Sequence, residues 1–93
     1  MSTAMSNPPH PGELVADALE ALNVSAREFA AQIGVAPDTV VRVMNGQAPI
    51  TPEMAVRLAK ALPGPTAETW LKMQAAHDAW RAERSIAVSA VKS

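Results

Sequence analysis

Apolar residues recur along this chain at intervals of three and four, which is the spacing of one face of an α-helix. Segments rich in polar residues, glycine and proline separate the stretches that show this pattern. It predicts five helices, at about residues 11–23, 26–33, 37–45, 52–62 and 67–84. No alternation of apolar and polar residues is long enough to predict a strand, and no internal repeat is found. We therefore expect an all-α fold.

Residue types at the predicted helix ends support these limits. Ser25, followed three residues later by Glu28, is the signature of a capping box at the start of the second helix. Gly34 favours the left-handed conformation that ends this helix. Thr51 and Thr66 are the caps predicted for the fourth and fifth helices, because a hydroxyl can accept a free N–H of the first turn.

The chain has 93 residues, which is the size of one small domain. We expect residues 1–9 to be a disordered N-terminal lead, residues 10–84 to form the domain and residues 85–93 to be a C-terminal tail. Segment 86–88 is apolar, so it could pair as a strand or dock on a partner. Folds of this size often gain stability by forming oligomers.

Composition excludes several classes of protein. Hydrophobic residues make up 48% of the chain, too many for a wholly disordered protein. The absence of cysteine excludes disulfides, iron–sulfur clusters, thiol catalysis and cysteine-ligated zinc. No apolar run approaches the roughly 18 residues that a membrane span needs, so no membrane association is expected. The first ten residues contain neither Lys nor Arg, so we expect no signal peptide and a cytoplasmic protein.

The net charge of −1 is not that of an avid, non-specific binder of polyanions. The charges are nevertheless unevenly distributed. Residues 1–22 carry three acidic side chains and no basic one, whereas residues 23–60 carry four basic and three acidic side chains. Any face that binds nucleic acid must therefore be modest and lie in the middle of the chain.

The junction between the second and third helices carries the most informative pattern. A short turn that contains glycine joins two short helices there, as in the helix-turn-helix motif. Ala30 is small enough for the third helix to cross close above it, Gly34 permits a positive φ, and Val35 can pin the turn to the core. Spacing alone leaves open that this is a helical pair from a fold that does not bind DNA.

In a helix-turn-helix motif the second helix enters the major groove, N-terminal residues first. Arg42 can then contact guanine or a phosphate, and Thr39 can offer its methyl group to thymine or its hydroxyl to a base edge or phosphate. Phosphate contacts are expected from the first turn of the second helix and from the end of the third. The predicted DNA-binding residues are Arg27, Pro37, Asp38, Thr39, Val41, Arg42, Asn45 and Gln47.

Four segments of the chain together resemble one known family. They read, in order, HPGELVADALEALNVS, AREFAAQIGVAPDTVVRVMNG, ITPEMAVRLAKAL and ETWLKMQAAHDAW. The chain from residue 10 to about residue 83 resembles the HigA-type antitoxins, the virulence-associated-protein-I group of the phage-repressor-like (Cro/C1-type, XRE) helix-turn-helix domains. The resemblance implies a five-helix phage-repressor-like bundle with the helix-turn-helix at its second and third helices.

The same resemblance implies a function and a set of partners. Proteins of this type are antitoxins of type II toxin–antitoxin systems, which bind and neutralise a HigB-like ribonuclease toxin. They also repress their own operon as homodimers on double-stranded operator DNA. By resemblance, Asp38, Thr39 and Arg42 read bases and phosphates. The fifth helix takes part in the dimer interface through Trp70, Leu71 and Gln74.

Three positions bear on the strength of DNA binding. The family often has Gln where this chain has Ala26, and Ser where it has Ala36, and both polar groups could meet phosphate or base edges. Asp38 also places a negative charge beside the DNA backbone. We therefore expect weaker operator binding than in a typical repressor, or an unusual operator. Two alternatives stay open: a stand-alone XRE-family transcriptional repressor without a toxin partner, and an antitoxin that has lost operator affinity.

No pattern in the sequence indicates a catalytic or metal site. His10 and His77 are the two histidines, and their spacing matches no metal-binding motif, so no metal or cofactor is predicted. Ser25 and Ser85 have no predicted base nearby, and no glycine-rich phosphate loop is present. We therefore expect a protein that is not an enzyme and has no small-molecule substrate.

Overall fold

The structure is a computed structural model that describes residues 8–92, with side chains to residue 87. Its helices are α1 (Gly12–Leu22), α2 (Ala26–Ile33), α3 (Pro37–Met44), α4 (Pro52–Ala61) and α5 (Ala67–Lys92). The predicted all-α fold of five helices is confirmed. Residues 1–7 of the predicted disordered lead lie outside the described residues. Within the described range, no helix is both long and apolar enough to cross a membrane.

The predicted caps hold the helix ends. The Ser25 hydroxyl accepts the Glu28 N–H and the Glu28 carboxylate accepts the Ser25 N–H, both at 3.0 Å, so the capping box is confirmed. Thr51 accepts the N–H of Met54 at 3.2 Å. Thr66 accepts the N–H of Thr69 at the same distance, 3.2 Å. Each hydroxyl satisfies a backbone donor that has no partner inside its own helix.

Helix α5 is longer than the sequence pattern predicts. It was expected to end near residue 84, but it continues to Lys92, so residues 85–92 are helix and not a strand or a separate tail. No glycine or proline interrupts residues 67–92, and alanine, the strongest helix former, recurs throughout. The Ile86 side chain is 69% exposed, so this end of the helix is held by its own hydrogen bonds more than by packing.

The core lies where the helices cross. α2 packs against α3 and α4, α1 packs against α3, and α4 packs against α5. On α1 the buried edge is formed by Val15 and Leu19, while Leu14 and Leu22, which lie at helical spacing beside them, are exposed. The apolar face of α1 is therefore wider than the surface that α3 covers. The buried core residues are Val15, Leu19, Phe29, Ala30, Ile33, Val40, Val43, Ile50, Met54, Ala55, Leu58, Leu62 and Trp70.

Two of the three residues that resemblance placed at a dimer interface lie inside the protomer. Trp70 is 1% exposed in the core. The Gln74 side chain is buried, accepts the Ile50 N–H at 2.8 Å and donates to Asp78 Oδ1 at 3.0 Å. Side chains that their own chain already covers have little surface left for a partner, which argues against the expectation for both. Leu71 is half-buried, and its place in a dimer interface stays a prediction.

Candidate nucleic-acid interface

The turn between α2 and α3 has the geometry that the helix-turn-helix motif requires. Ala30 is fully buried at 0% exposure, and α2, on which it lies, packs against α3. The N–H groups of Gly34 and Val35 both donate to the Ala30 carbonyl, at 2.9 and 3.0 Å. Gly34 has φ = 77°, a backbone conformation that residues with a side chain rarely adopt. Val35 is half-buried against the core. The positive φ predicted for Gly34 and the packing of Val35 on the core are confirmed.

Arg57 of α4 holds the end of α2, a contact that sequence reasoning missed. Its Nη1 donates to the Ile33 carbonyl, directly before the turn, and its Nη2 forms an ion pair with Glu53 at 2.7 Å. The ion pair has the i,i+4 spacing of a helix surface and could have been found in the sequence. The bond to Ile33 joins residues 24 positions apart, and no local pattern indicates it.

Replacing Arg57 with alanine is expected to lower the free energy of unfolding by about 1–2 kcal/mol, because the last carbonyl of α2 loses a charged hydrogen-bond donor. Urea denaturation followed by circular dichroism measures the change. Glu53→Gln is the matched control, since it removes the exposed ion pair and keeps the bond to Ile33. That control should cost less than about 0.5 kcal/mol. Equal losses in the two variants would contradict the role assigned to Arg57.

The outer face of α3 is open to solvent. Pro37, Asp38, Val41 and Arg42 are exposed and Thr39 is half-buried. The opposite edge of the helix, Val40 and Val43, is buried in the core. Arg27 is exposed in the first turn of α2, and Asn45 and Gln47 are exposed just beyond α3. All eight predicted DNA-binding side chains therefore have free surface, and their contact with DNA stays a prediction.

The electrostatics of this face are mixed. Asp38 lies in the first turn of α3 and Arg42 in its last turn. Neither side chain forms an ion pair with another described residue, so both charges are available to a partner. Ala36 precedes the helix and gives it no side-chain cap. The Arg42 guanidinium suits phosphate and guanine, whereas the Asp38 carboxylate repels a phosphate.

The chain folds back sharply after α3. The N–H groups of Gln47 and Ala48 both donate to the Arg42 carbonyl, at 2.8 and 3.2 Å, and Gly46 adopts φ = 73°. This closed turn fixes the direction of Asn45 and Gln47 relative to α3. It also brings Gly46 against His10, which lies two residues before α1.

His10 is 6% exposed, and its Nδ1 accepts the Gly12 N–H at 2.9 Å. Its ring meets that of His77 edge to face, with the two centroids 5.0 Å apart. Burial, and next the nearby His77, lower the pKa of His10 below its ordinary value. In the described part of the chain, no group of three or more His, Cys, Asp or Glu side chains could hold a metal ion.

Comparisons with known proteins agree on the type of domain. The helix-turn-helix family pattern matches residues 15–72. The chain is 40% identical over 88 residues to the uncharacterized HTH-type transcriptional regulator YddM of Escherichia coli strain K12, covering 95% of this chain and 93% of that protein. An addiction module antidote protein of a HigA family from Coxiella burnetii has a similar structure. Its TM-score is 0.82 and its identity 35%, over 94% of this chain and 95% of that one.

A similar structure has also been solved with DNA. It is the Pseudomonas aeruginosa antitoxin HigA with the higBA promoter, which has a TM-score of 0.81 and 25% identity. The match covers 88% of this chain and 89% of that one. The fold found here is therefore one that appears, in that relative, in a structure with promoter DNA.

Proposed function

Since the chain belongs to the helix-turn-helix family and is similar over most of its length to a HigA-family antidote protein, we propose that it is the antitoxin of a type II toxin–antitoxin system. It represses its own operon by binding operator DNA as a homodimer. It neutralises a HigB-like ribonuclease toxin by binding it directly. Binding to the operator requires the protein to be in the cytoplasm.

One observation carries the DNA-binding part of this proposal. α3 follows a helix-turn-helix turn, buries Val40 and Val43, and leaves Asp38, Thr39 and Arg42 free on the opposite side. A recognition helix needs this division, because the buried edge fixes its angle while the free edge enters the major groove. A two-fold dimer would set two such helices about 34 Å apart, one turn of the duplex.

Within each half-site the residues have separate roles. Arg42 donates to guanine O6 and N7 or to a phosphate, and Thr39 contacts a thymine methyl group or a phosphate. Arg27 and the end of α3 contact phosphates and fix the register of the protein on DNA. Asp38 opposes these attractions by repelling phosphate. The result is a repressor of moderate affinity whose specificity depends mainly on Arg42.

Binding to the operator is tested by gel retardation with the DNA upstream of this gene. The protein is expected to retard that DNA and not a scrambled duplex of equal length and composition. Added salt should weaken binding with a shallow slope of log K against log salt, about −4. The reason is that Arg27 and Arg42 are the basic residues of α2 and α3, so a dimer brings about four positive charges to the DNA. A slope near −10 would contradict the proposed interface.

Neutralisation of the toxin is tested by co-expression with the product of the adjacent gene. A tagged copy of this chain is expected to copurify with that protein and to restore growth that it arrests. Copurification without retardation of DNA would indicate an antitoxin that has lost operator affinity. Retardation without copurification would favour the alternative, a stand-alone transcriptional repressor, which the similarity to the regulator YddM also supports.

A further inference from the structure

The turn formed by residues 10–12, here named the His10 turn, joins the start of α1 to the end of α3. Gly12 is the first residue of α1, and its N–H is one of the donors that a helix leaves without a partner. His10 Nδ1 accepts this N–H at 2.9 Å. The His10 carbonyl accepts the next N–H, that of Glu13, also at 2.9 Å. His10 thus caps α1 with both its ring and its backbone.

Gly12 lies directly against the backbone of α3. A Cβ atom at this position would lie 1.8 Å from the Val43 carbonyl oxygen and 2.7 Å from its carbon. The φ of Gly12 is not positive, so the residue is required by the closeness of α3 and not by its own conformation. The last turn of α3 therefore rests on the first residue of α1.

His10 also holds the segment that follows α3. A Cβ atom at Gly46 would lie 3.7 Å from the His10 ring, an ordinary contact distance. The other side of the turn is held by α5, since the His77 ring packs on His10 and His77 Nδ1 donates to the Pro8 carbonyl at 3.0 Å. One buried imidazole is thus in contact with three parts of the fold.

We propose that His10 is a positioning residue for the recognition helix α3, and that a proton added to its Nδ1 weakens operator binding. This inference rests on the proposed function. Nδ1 can accept the Gly12 N–H only while it keeps its lone pair. Once protonated, it presents an N–H to the N–H of Gly12. The His10 turn must then open, and the last turn of α3 loses the surface on which it rests.

Charged and titratable groups from two helices face His10, and the balance between them sets the pH at which its Nδ1 takes up a proton. His77 and Arg81 of α5 oppose a positive charge, while Glu13 of α1 and Asp78 of α5 favour it. The end of α3 contributes Met44, Asn45 and Gly46 to the same cleft, and none of them is charged. The cleft has a volume of about 420 Å³ and is lined in part by His10, so protons can reach the ring.

The direction of the pH effect follows from the lowered pKa. Above the ordinary value of 6.5, His10 is neutral in both the folded and the unfolded chain, and the His10 turn is intact. Below 6.5 the unfolded chain takes up a proton that the folded chain resists. Stability is therefore lost as the pH falls, and the folded molecules that do take up the proton hold α3 less firmly.

The test is operator affinity, measured by fluorescence anisotropy at constant ionic strength from about pH 7.5 down to about pH 4.5. This range extends below that of an ordinary histidine because the pKa of His10 is lowered. The wild-type protein is expected to lose affinity about fivefold or more toward the acid end, the effect of one typical hydrogen bond. His10→Asn keeps an acceptor close to the position of Nδ1 and cannot titrate. It should bind within about twofold of wild type at neutral pH and lose the acid-dependent weakening.

Two further variants separate positioning from general destabilisation. His77→Asn removes one group that opposes the proton, so the acid-dependent loss should persist with its midpoint moved to higher pH. Gly12→Ala should weaken operator binding about tenfold at every pH, because its Cβ pushes against α3. A destabilised fold alone would not shift the midpoint of the pH dependence in His77→Asn and remove that dependence in His10→Asn.

Hydrogen exchange supplies a readout that needs no DNA. The Gly46, Gln47 and Ala48 amides donate to carbonyls of α3. Their protection should decrease as the pH is lowered in the wild-type protein and stay constant in His10→Asn. If both proteins show equal pH profiles in affinity and in protection, the inference is overturned while the proposed function stands. If wild-type protein binds no operator DNA, the proposed function fails. Amide protection, which needs no DNA, then still tests whether His10 positions α3.

Discussion

Replacing Trp70 with alanine is expected to lower the free energy of unfolding by about 3–5 kcal/mol, the usual cost of deleting a buried aromatic side chain. Trp70 is 1% exposed and is among the largest fully buried side chains of the core. Its removal leaves a cavity that the short helices around it cannot fill without losing their own contacts. Urea denaturation followed by far-ultraviolet circular dichroism measures the loss, because tryptophan fluorescence would change with the substitution itself.

Trp80 provides a control of the same residue type. It lies on the same helix, is half-buried, and carries the Arg84 guanidinium 5.5 Å from its ring centre. Trp80→Ala should therefore cost only about 1–1.5 kcal/mol, since much of its surface is already in water. Equal losses for the two tryptophans would contradict the core position of Trp70.

The Trp70 experiment also separates a core role from a dimer role. A small domain has a total stability of only about 5–15 kcal/mol, so Trp70→Ala can leave a large unfolded fraction at every protein concentration. An interface residue would instead give a folded monomer. Leu71→Ala tests the remaining interface prediction, because this side chain is half-buried in the protomer. Analytical ultracentrifugation of the folded variant should show a shift toward monomer.

Arg42→Ala is expected to weaken operator binding by about 1–3 kcal/mol, the usual contribution of an arginine that reads guanine. Arg42 is exposed in the last turn of α3, and its carbonyl anchors the turn that follows, so the backbone should survive the change. Anisotropy titrations with operator and with scrambled DNA measure the effect. The loss should be larger on the operator if Arg42 contacts a base, and equal on both if it contacts a phosphate.

Lys72→Ala is the matched control for charge. It removes one positive charge from α5, where Lys72 pairs with Glu68 at 3.6 Å and lies outside the helix-turn-helix. Its effect on operator affinity should be much smaller than that of Arg42→Ala. Asp38→Asn should strengthen binding, because it removes a carboxylate from the face that meets the phosphates. An unchanged dissociation constant for Arg42→Ala would exclude Arg42 from the interface.

Local chemistry made the helix-turn-helix predictable. The limits of α2 agree with the predicted ones because a capping box begins this helix and a left-handed glycine ends it. The exposed edge of α3 follows from helical spacing, since Val40 and Val43 lie on the buried side and the residues between them face outward. Each of these features depends on residues no more than four positions apart. Residue types and their spacing are therefore enough to predict it.

The missed contacts join distant parts of the chain. The bond from Arg57 to Ile33 spans 24 residues, as does the bond from Ile50 to Gln74. The contact between Pro8 and His77 spans 69 residues. Helical spacing shows that Trp70 lies on an apolar face, but it does not tell whether the same chain or a second copy covers that face.

The sequence by itself determined the five helices, the caps that bound them, the helix-turn-helix turn and the family, because each depends on residue types at fixed short intervals. The tertiary structure alone decided that Trp70 and Gln74 belong to the core, that Arg57 secures the end of α2, and that His10 and Gly12 support α3. The physical reason is that packing and buried hydrogen bonds depend on how the helices approach one another. The packing of the helices is set by the shapes of all the side chains between them together. No short stretch of sequence contains this information.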